Sequence, residues 1–516
     1  YFLFFIVLVL SLFVVLHRSL DPDFGWHIKT GELILERGIP MVDWYSYTMP
    51  AFPWIAHEWL VDIFMYTVYS YVGFYALLFI FLCWYVLSFF IAKRQEQSFT
   101  SFSLVVGLSC LATIGFLGVR PQMLTVLLVA VLLKIIDTFL DNSSRLIYTV
   151  PLLLVLWVNL HGSFFVGLFI LVAIISLELY KHWNLGNKVR WLHFLNNFHY
   201  KKQPLSKILT LGVVLFISCI ATLINPYGIR IYIEVFRTIG DNFLKFHITE
   251  WLPLLLSGFQ PIIYVYIAIY LGVLMKSYRK LEFNKVFLSL FFLLLSLSSI
   301  RYFLLFVIVA TPLILEAIPY VRTQLSSFKY TTLKRIDIIM AGSLFIILIC
   351  IVSYFVVSDI AKHLSKSEFY PVKAVSFLKT QPLSDNVLND YGWGGYLIWK
   401  IPERKFFVDG RMPSWRENGQ FAFGDYITIM QAKEGFETYL SKYNVALVMI
   451  PTKLKQASKI NTTPQFVKDF LKQHEALNLL SAALGIYTSN NNLYTKLTEQ
   501  GWMEIYEDET ALILKK

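Results

Sequence analysis

Charged residues are scarce in this chain of 516 residues: they make up 15% of it, whereas hydrophobic residues make up 57%. Soluble domains carry roughly 25% charged residues. The composition therefore excludes an ordinary soluble protein and indicates a polytopic α-helical membrane protein. The formal net charge of +11 fits basic loops that fix the orientation of such a protein in the bilayer. We expect the lipid bilayer as a partner and no nucleic acid.

Cysteine is rare as well. Cys83, Cys110, Cys219 and Cys350 all lie in apolar runs, and none has Cys-x-x-Cys or Cys/His spacing. This pattern excludes a disulfide framework and a zinc site. The sequence has no Walker motif, no GxGxxG and no HExxH, and its glycine-rich stretch at 391–396 lacks the context of a nucleotide fingerprint.

Long apolar runs are abundant. A spanning helix needs about 20 apolar residues, and such runs predict about eleven spans. They occupy 1–17, 74–92, 100–118, 121–140, 146–160, 163–180, 208–224, 260–276, 286–300, 302–319 and 337–357. The sequence therefore predicts a transmembrane domain over 1–357, with an outer loop at 18–73, and a second domain of ordinary polarity over 358–516.

The basic residues indicate the orientation. The loop 181–207 contains Lys and Arg but no acid, and further basic groups follow alternate spans. Because short basic loops stay in the cytoplasm, the loops 18–73 and 225–259 and the domain 358–516 are predicted to lie on the outer face. We expect a multi-pass protein of a bacterial inner membrane with an extracytoplasmic C-terminal domain.

Local patterns predict elements outside the spans. Phe24–Arg37 and Glu58–Tyr71 have the pattern of helices that lie along the membrane surface. The C-terminal domain mixes helical and strand patterns, which predicts a small α/β domain. Its predicted helices are 372–379, 434–442 and 465–472, and its predicted strands are 386–388, 406–408, 446–450, 503–506 and 512–514.

Two carboxylates and an imidazole follow the first span, in Asp21-Pro22-Asp23 and His27. Charged groups this close to hydrocarbon are costly and indicate a functional site. Asp23 and His27 are one helical turn apart, so both side chains can face one site. A carboxylate here can deprotonate an acceptor hydroxyl, and Asp21 and Asp23 together can ligate a divalent cation such as Mg²⁺ or Mn²⁺. The alternative is that either residue only caps the surface helix.

Further polar residues interrupt the outer ends of the apolar runs. Arginine at a membrane face binds phosphate through its planar fork, and the alternative for it is snorkelling towards lipid headgroups. The candidates for binding the phosphate group of one substrate, called here the donor, are Arg120, Arg301, His57 and His161. The candidates for contact with a second substrate, called here the acceptor, are Glu58, Asp409 and Arg411. Glu58 also fits a helix start, His161 a satisfied interface residue, and Asp409 with Arg411 an internal ion pair in a turn.

The region from Asp23 to Gly73 resembles the first outer loop of the GT-C glycosyltransferases. These polytopic enzymes use polyprenyl-phosphate sugars and include the protein O-mannosyltransferases and the aminoarabinose transferases of lipid A. In those families an acidic residue opens a surface helix, the helix ends near a glycine, and a Lys- or His-Pro-Pro motif begins the next helix. Here Asp23 opens the helix, Gly38 closes it and His57 stands at the later motif. The resemblance implies that Asp23 corresponds to the catalytic aspartate of these families and His57 to their basic residue.

The chain departs from that pattern at two places. Phe24 stands where many members have a second acid, which makes Asp21 the candidate for that role, and Glu58-Trp59 replaces the Pro-Pro. These departures leave the subfamily and the metal requirement open.

The hypothesis from the sequence is an integral membrane glycosyltransferase with a polyprenyl-phosphate sugar donor and an extracytoplasmic acceptor hydroxyl on a lipid, a glycan or a protein. Asp23 would act as the base of an inverting reaction, and Arg301 and Arg120 would stabilise the leaving phosphate. His27 and His57 would orient the acceptor or the phosphate.

Other classes of protein stay open. A transporter or lipid flippase predicts broken half-helices and an internal repeat, and the sequence has no evident sign of either. A non-catalytic scaffold for envelope assembly leaves the carboxylates and histidines of the outer loop unexplained. An O-antigen ligase or polymerase predicts a late loop rich in Arg and His, which 225–259 matches only weakly.

Overall fold

The structure is a computed structural model that describes residues 2–17, 20–93, 98–183, 198–199, 202–257, 260–324, 369–459 and 492–516. The chain forms two compact units. The first, called here the helical unit, comprises Tyr1–Ser19, Val72–Ile231 and Glu250–Val357. The second, called the α/β unit, comprises Leu20–Tyr71, Tyr232–Thr249 and Ser358–Lys516.

The helical unit is built from long apolar helices. They are α1 (Phe2–Leu16), α4 (Phe74–Ala92), α5 (Phe99–Thr113), α6 (Gln122–Asn142), α7 (Val150–Leu160), α8 (Phe164–His182), α9 (Leu205–Ala221), α12 (Pro261–Ser277), α13 (Phe283–Ser298) and α14 (Phe303–Gln324). Six helical segments of the described residues are long and apolar enough to cross a membrane, and four shorter apolar helices accompany them. The predicted span at 337–357 lies outside the described residues, so the count of about eleven stays a prediction.

Hydroxyl groups connect these helices in their apolar interior. The Tyr85 hydroxyl of α4 lies 2.5 Å from the Thr113 hydroxyl of α5. Ser109 of α5 lies 3.0 Å from Thr311 of α14. Because an unsatisfied polar group in an apolar interior costs several kcal/mol, such groups pair across helices. Gly167 of α8 allows a further close contact with the Trp157 ring of α7.

The α/β unit contains the two predicted helices of the region 20–71, further short helices and a small sheet. Its helices are α2 (Phe24–Arg37), α3 (Trp59–Val72), α11 (Leu244–His247), α15 (Val372–Leu378), α16 (Gly394–Lys400), α17 (Ala422–Met430), α18 (Phe436–Lys442), α19 (Thr452–Lys459) and α20 (Leu493–Glu499). The amphipathic helix α10 (Arg230–Gly240) begins at the end of the preceding helical-unit segment. The predicted helix 24–37 is confirmed, and Gly38 (φ 84°) ends it by donating its N–H to the Ile34 carbonyl.

Among the described residues the sheet has four strands, β1 (Asn386–Asn389), β2 (Val445–Pro451), β3 (Met503–Glu507) and β4 (Ala511–Lys515). Their spatial order is β1-β2-β4-β3, with β1 parallel to β2 and the other neighbours antiparallel. Leu388 faces Val448, and Met449 faces Ile513. The central strands β2 and β4 are almost fully buried, as their unbroken apolar runs require.

Most of the predicted elements of this unit are confirmed, with one error. The strands at 386–388, 446–450, 503–506 and 512–514 are present, and so are the helices at 372–379 and 434–442, the latter beginning at Phe436. The predicted strand 406–408 is wrong: Phe406 makes only an isolated bridge with Ser46. The predicted helix 465–472 lies outside the described residues.

The outer loop packs with the C-terminal segment. Phe406 donates its N–H to the Tyr45 carbonyl at 2.9 Å, and Thr48 Oγ1 donates to the Phe407 carbonyl at 2.6 Å. The Phe52 ring stacks on Trp415 with 4.5 Å between centroids. By their contacts, residues 20–71 are therefore part of the α/β unit, and the predicted division into domains stays a prediction. The predicted boundary between 357 and 358 lies outside the described residues.

Two glycines permit a close contact between helices α2 and α16 of the α/β unit. A Cβ on Gly25 of α2 would overlap the carbonyl of Gly395 in α16, and a Cβ on Gly395 would overlap the carbonyl of Pro22. The glycine-rich stretch 391–396 thus serves helix packing. This contact places the start of α2 against the C-terminal segment.

Candidate functional site

Asp21 and Asp23 have different structural roles at the start of α2. The Oδ1 atom of Asp21 accepts a hydrogen bond from the Asp23 N–H at 2.9 Å, and the Asp21 carbonyl accepts from the Phe24 N–H. Asp23 occupies the N-cap position, yet its side chain makes no capping hydrogen bond. Its Oδ1 atom instead accepts from the indole Nε1–H of Trp26 at 3.0 Å. Asp21 therefore shapes the turn, and capping does not explain the Asp23 carboxylate.

Gly410 lies directly against the Asp23 carboxylate. A Cβ built on Gly410 would overlap Asp23 Oδ1 and would also contact Oδ2 at 3.2 Å. The turn Asp409-Gly410-Arg411 was singled out in the sequence separately from the outer loop, and the fold brings the two together. The absence of a side chain at Gly410 leaves room for the Asp23 carboxylate at this position.

His27 is paired inside the α/β unit with a residue that the sequence did not indicate. The His27 side chain is 3% exposed, and its Nδ1 atom lies 2.6 Å from Oδ1 of Asp62 in α3. Its Nε2 atom lies 3.9 Å from Glu58 Oε2, and its ring packs on Trp26. Burial raises the pKa of Asp62 well above its usual range, and the nearby Arg411 offsets this only in part.

Arg411 lies at the centre of a buried cluster of charges and rings. Its Nε and Nη2 atoms donate to both carboxylate oxygens of Asp409 at 2.8 and 2.7 Å, and Nη2 also donates to Asp43 Oδ1 at 2.9 Å. The guanidinium lies 4.7, 4.4 and 5.1 Å from the ring centroids of Tyr45, Trp54 and Trp415. Burial lowers the pKa of Arg411, but the two carboxylates raise it by more, so the group stays charged.

Asp409 and Arg411, which were predicted to contact the acceptor, both have almost fully buried side chains. The Arg411 side chain is 3% exposed and that of Asp409 1%. The internal ion pair, which was the alternative from the sequence, is present. The acceptor-side role of both residues, like that of Glu58, stays a prediction.

His57 lies in the turn before α3, and its side chain is 34% exposed. Its Nε2 atom lies 3.9 Å from Glu58 Oε1, and its Nδ1 atom lies 3.3 Å from the Ile55 carbonyl oxygen. The Glu58 side chain lies at a comparable distance from both His27 and His57. A role for His57 in phosphate or sugar binding stays a prediction.

The predicted arginines lie in the helical unit and share an acidic partner, Glu250. Arg120 donates from Nη1 to Glu250 Oε1 at 2.7 Å. The Arg301 guanidinium lies 5.0 Å from the Trp251 ring centroid. Partial desolvation raises the pKa of Glu250, but Arg120 and Arg301 lower it by more, and the net pKa lies below its usual range. Among the described residues, Arg120, Arg301 and Glu250 therefore form one charged cluster.

His161 is a buried partner of neighbouring hydroxyl groups. Its Nδ1 atom lies 2.9 Å from Thr125 Oγ1 and 2.6 Å from Ser163 Oγ. Ser163 also accepts from the Trp157 indole N–H at 3.1 Å. This arrangement fits the satisfied interface histidine that the sequence left as an alternative, while binding of donor phosphate stays a prediction.

A divalent cation finds little support in the donor set. In the part of the chain that the structure describes, no group of three or more His, Cys, Asp and Glu side chains could hold a metal ion. Asp21 and Asp23 each already accept a hydrogen bond from the protein. Metal binding by Asp21 and Asp23 stays a prediction, and the reaction proposed below uses no metal ion.

Three acidic residues of these clusters, Asp43, Asp62 and Glu250, were not among the candidates predicted from the sequence. Asp62 lies in an apolar helix four residues after Glu58, and this spacing was an available signal. Asp43 lies in a loop rich in Trp, Tyr and Pro, where no periodicity marks it. Glu250 gains its role only from contact with Arg120, 130 residues away in the sequence.

Comparisons with known proteins give a likeness of fold. No family model matches the sequence, and no curated protein matches it. The archaeal oligosaccharyltransferase AglB from Archaeoglobus fulgidus, in complex with an inhibitory peptide and a dolichol-phosphate, is similar with a TM-score of 0.51 and 11% identity over 87% of this chain and 69% of that chain. The Archaeoglobus fulgidus oligosaccharyltransferase tethered with an acceptor peptide containing the NVT sequon is similar with a TM-score of 0.51 and 11% identity over 99% of this chain and 74% of that chain.

The chain therefore has a fold similar to that of the Archaeoglobus fulgidus oligosaccharyltransferase. This confirms, at the level of fold, the resemblance first seen between Asp23 and Gly73. Together with its apolar helices, the fold makes the chain a multi-pass integral membrane protein. Because the sequence identity is 11%, the roles of individual residues are not inferred from these structures. They are argued from the contacts and charges of this chain's own residues.

Proposed function

We propose that this protein is a membrane glycosyltransferase that moves a sugar from a polyprenyl-phosphate donor to an acceptor hydroxyl. The observation that carries the proposal is the Asp23 carboxylate. It opens α2 without capping it, and it is held by Trp26 against Gly410. A carboxylate held in a defined position by its neighbours has the fixed geometry that a general base needs.

In the proposed reaction Asp23 accepts the proton of the acceptor hydroxyl as the oxygen attacks the anomeric carbon of the sugar. The new glycosidic bond forms as the bond to the phosphate oxygen breaks, and the anomeric centre inverts. Polyprenyl phosphate leaves with the bonding electron pair. Its negative charge suits arginines, which bind phosphate oxygens in pairs.

In the helical unit, Arg120 and Arg301 are the proposed cations for the donor phosphate. Each guanidinium carries a positive charge, opposite in sign to the negative charge of a phosphodiester. The Archaeoglobus fulgidus enzyme was solved with a dolichol-phosphate, which is a lipid of the same chemical class. This likeness supports a lipid-linked donor for the present chain, and the sugar and the acceptor are not specified by it.

The experiment that tests the proposal is donor cleavage. The purified protein in nanodiscs is given a panel of undecaprenyl-phosphate-linked and dolichyl-phosphate-linked sugars with a mixture of hydroxyl acceptors, and released polyprenyl phosphate is measured by mass spectrometry. Release that requires both donor and acceptor is the expected result. Movement of intact donor across the bilayer of sealed proteoliposomes, without release, would instead indicate a flippase.

The same assay tests the arginines. A hydrogen bond to a charged group contributes about 1.5–3 kcal/mol, so we expect Arg120→Gln and Arg301→Gln each to raise the donor KM by roughly 10- to 100-fold. Arg230→Gln is the matched control, because Arg230 is an exposed arginine of the same unit. Parent-like donor KM values for both variants would remove the two arginines from the proposal.

A further inference from the structure

Arg411 is bound more firmly than an ordinary turn residue requires. It donates three hydrogen bonds to Asp409 and Asp43, and three aromatic rings surround its guanidinium. Asp43 is itself fixed, because it accepts from the N–H groups of Tyr45 and Ser46 and from the Ser46 hydroxyl. Arg411 thereby connects the turn 409–411 rigidly to the outer loop.

The turn 409–411 lies against Asp23, the proposed base. Gly410 lies between the two residues of the ion pair, and its Cα faces the Asp23 carboxylate at contact distance. The Trp26 indole N–H donates to Asp23 Oδ1, the same oxygen that lies nearest to Gly410. Asp23 Oδ1 is therefore in contact with both a hydrogen-bond donor from α2 and the backbone of the turn.

Stability alone does not account for this arrangement. A buried Arg–carboxylate cluster loses much of its attraction to the cost of desolvation, and apolar residues of similar volume are often as stable or more so. What an ion pair with a planar fork adds is a defined geometry. The element whose position it defines here is Gly410.

We propose that the turn Asp409-Gly410-Arg411 positions the Asp23 carboxylate, with Gly410 as the contact surface and Arg411 as the anchor. This inference rests on the proposed function of Asp23. Gly410 and Arg411 are positioning residues, because they act on the reaction through Asp23 without touching the substrate. The proposal gives the buried pair a role other than acceptor binding.

Gly410→Ala tests the proposal without removing any ion pair. The added methyl group would overlap Asp23 Oδ1, so the carboxylate must shift. Because a displacement of about 1 Å costs about 100-fold in rate, we expect kcat to fall on the order of 100-fold while the donor KM stays within twofold. Gly240→Ala is the matched control, since a Cβ at Gly240 of the same unit meets nothing within 4 Å.

A second readout reports the position of Asp23 without any turnover. The protein contains 13 tryptophans, and labelling with 5-fluorotryptophan gives a ¹⁹F resonance for Trp26 that Trp26→Phe identifies. Gly410→Ala and Arg411→Lys should both shift this resonance, because the hydrogen bond from Trp26 to Asp23 changes in each. Gly240→Ala should leave it in place.

The outcomes separate this inference from the proposed function. A Trp26 resonance that is unchanged in Gly410→Ala, or a parent-like kcat in that variant, would overturn the positioning role even if Asp23→Asn is inactive. If Asp23→Asn is fully active, the base assignment fails first, and the positioning role falls with it. A fall in kcat with a constant donor KM, together with the shifted resonance, supports both.

Discussion

At the scale of single residues, Asp390 shows what burial does to a carboxyl group in this protein. Its Oδ1 atom accepts a hydrogen bond from the Gly392 N–H at 2.9 Å, directly before α16. Burial nevertheless raises the pKa of Asp390 from 3.8 to about 6, because that one backbone hydrogen bond offsets only part of the desolvation. The charged form is therefore less favourable in the folded state than in the unfolded state.

This shift predicts a pH dependence of stability. A carboxyl group whose pKa is raised on folding stabilises the fold below its unfolded pKa, and that contribution is lost as pH rises towards the folded pKa. Between pH 3.8 and 6 the loss is about 3 kcal/mol, at about 1.4 kcal/mol per pKa unit. We expect Asp390→Asn, which keeps an acceptor for Gly392, to abolish this component and to raise Tm at pH 7.5.

Thermal unfolding of the purified protein between pH 3.5 and 8 provides the measurement. The exposed Glu403→Gln serves as a control for the removal of one negative charge. Identical pH profiles of Tm for the parent protein and for Asp390→Asn would contradict the prediction.

The sequence indicated some residues of the candidate site and could not indicate others. Asp23 and His27 were recognisable because charge beside a membrane span is costly. Gly410 was not, because a glycine in a turn gives no sign of what its missing side chain makes room for. Asp62 and Asp43 matter through partners that are distant in sequence, and periodicity carries no information about such contacts.

At the scale of elements, the close contact of α2 with α16 depends on two glycines. A Cβ at Gly25 would overlap a backbone carbonyl and would lie 3.1 Å from the Trp399 Cβ atom, so the two helices would have to separate. The contact is important for the candidate site, since α2 begins immediately after Asp23.

We expect Gly25→Ala and Gly395→Ala each to destabilise the α/β unit by about 1–3 kcal/mol, the usual cost of overpacking. Gly240→Ala, in open space, should change Tm little. The unfolding midpoint of the three variants in the same detergent measures this. Equal midpoints would mean that α2 and α16 are not in close contact.

The elements that could be predicted are those with a clear local pattern. Helix 24–37 has a helical period and a glycine stop, and the confirmed strands β2 and β4 are short apolar runs. The run 406–408 is equally apolar, yet its backbone partners belong to the outer loop and no ladder forms. Helix 394–400 begins with two glycines, which are poor helix formers, and packing rather than propensity accounts for it.

At the scale of the whole molecule, the amino-acid composition was sufficient to predict a multi-pass membrane protein. Which segments of the chain make up each unit could not be predicted. The outer loop joins the α/β unit through contacts between residues far apart in sequence. Tyr47 bonds to Val387 across 340 residues, Thr48 to Phe407 across 359, and Arg411 to Asp43 across 368. Hydropathy assigns a loop to the spans on either side of it and cannot detect such partners.

The central claim is that Asp23 is the base of a sugar transfer from a lipid-linked donor, and single-turnover transfer by Asp23→Asn tests it most directly. Asparagine keeps the size of the side chain but cannot take the proton. General base catalysis contributes about 10²- to 10⁴-fold. We expect the transfer rate of Asp23→Asn to fall by this factor while donor binding is unchanged. Glu36→Gln, on the exposed side of the same helix, should transfer at the parent rate. Transfer by Asp23→Asn at the parent rate would contradict the claim.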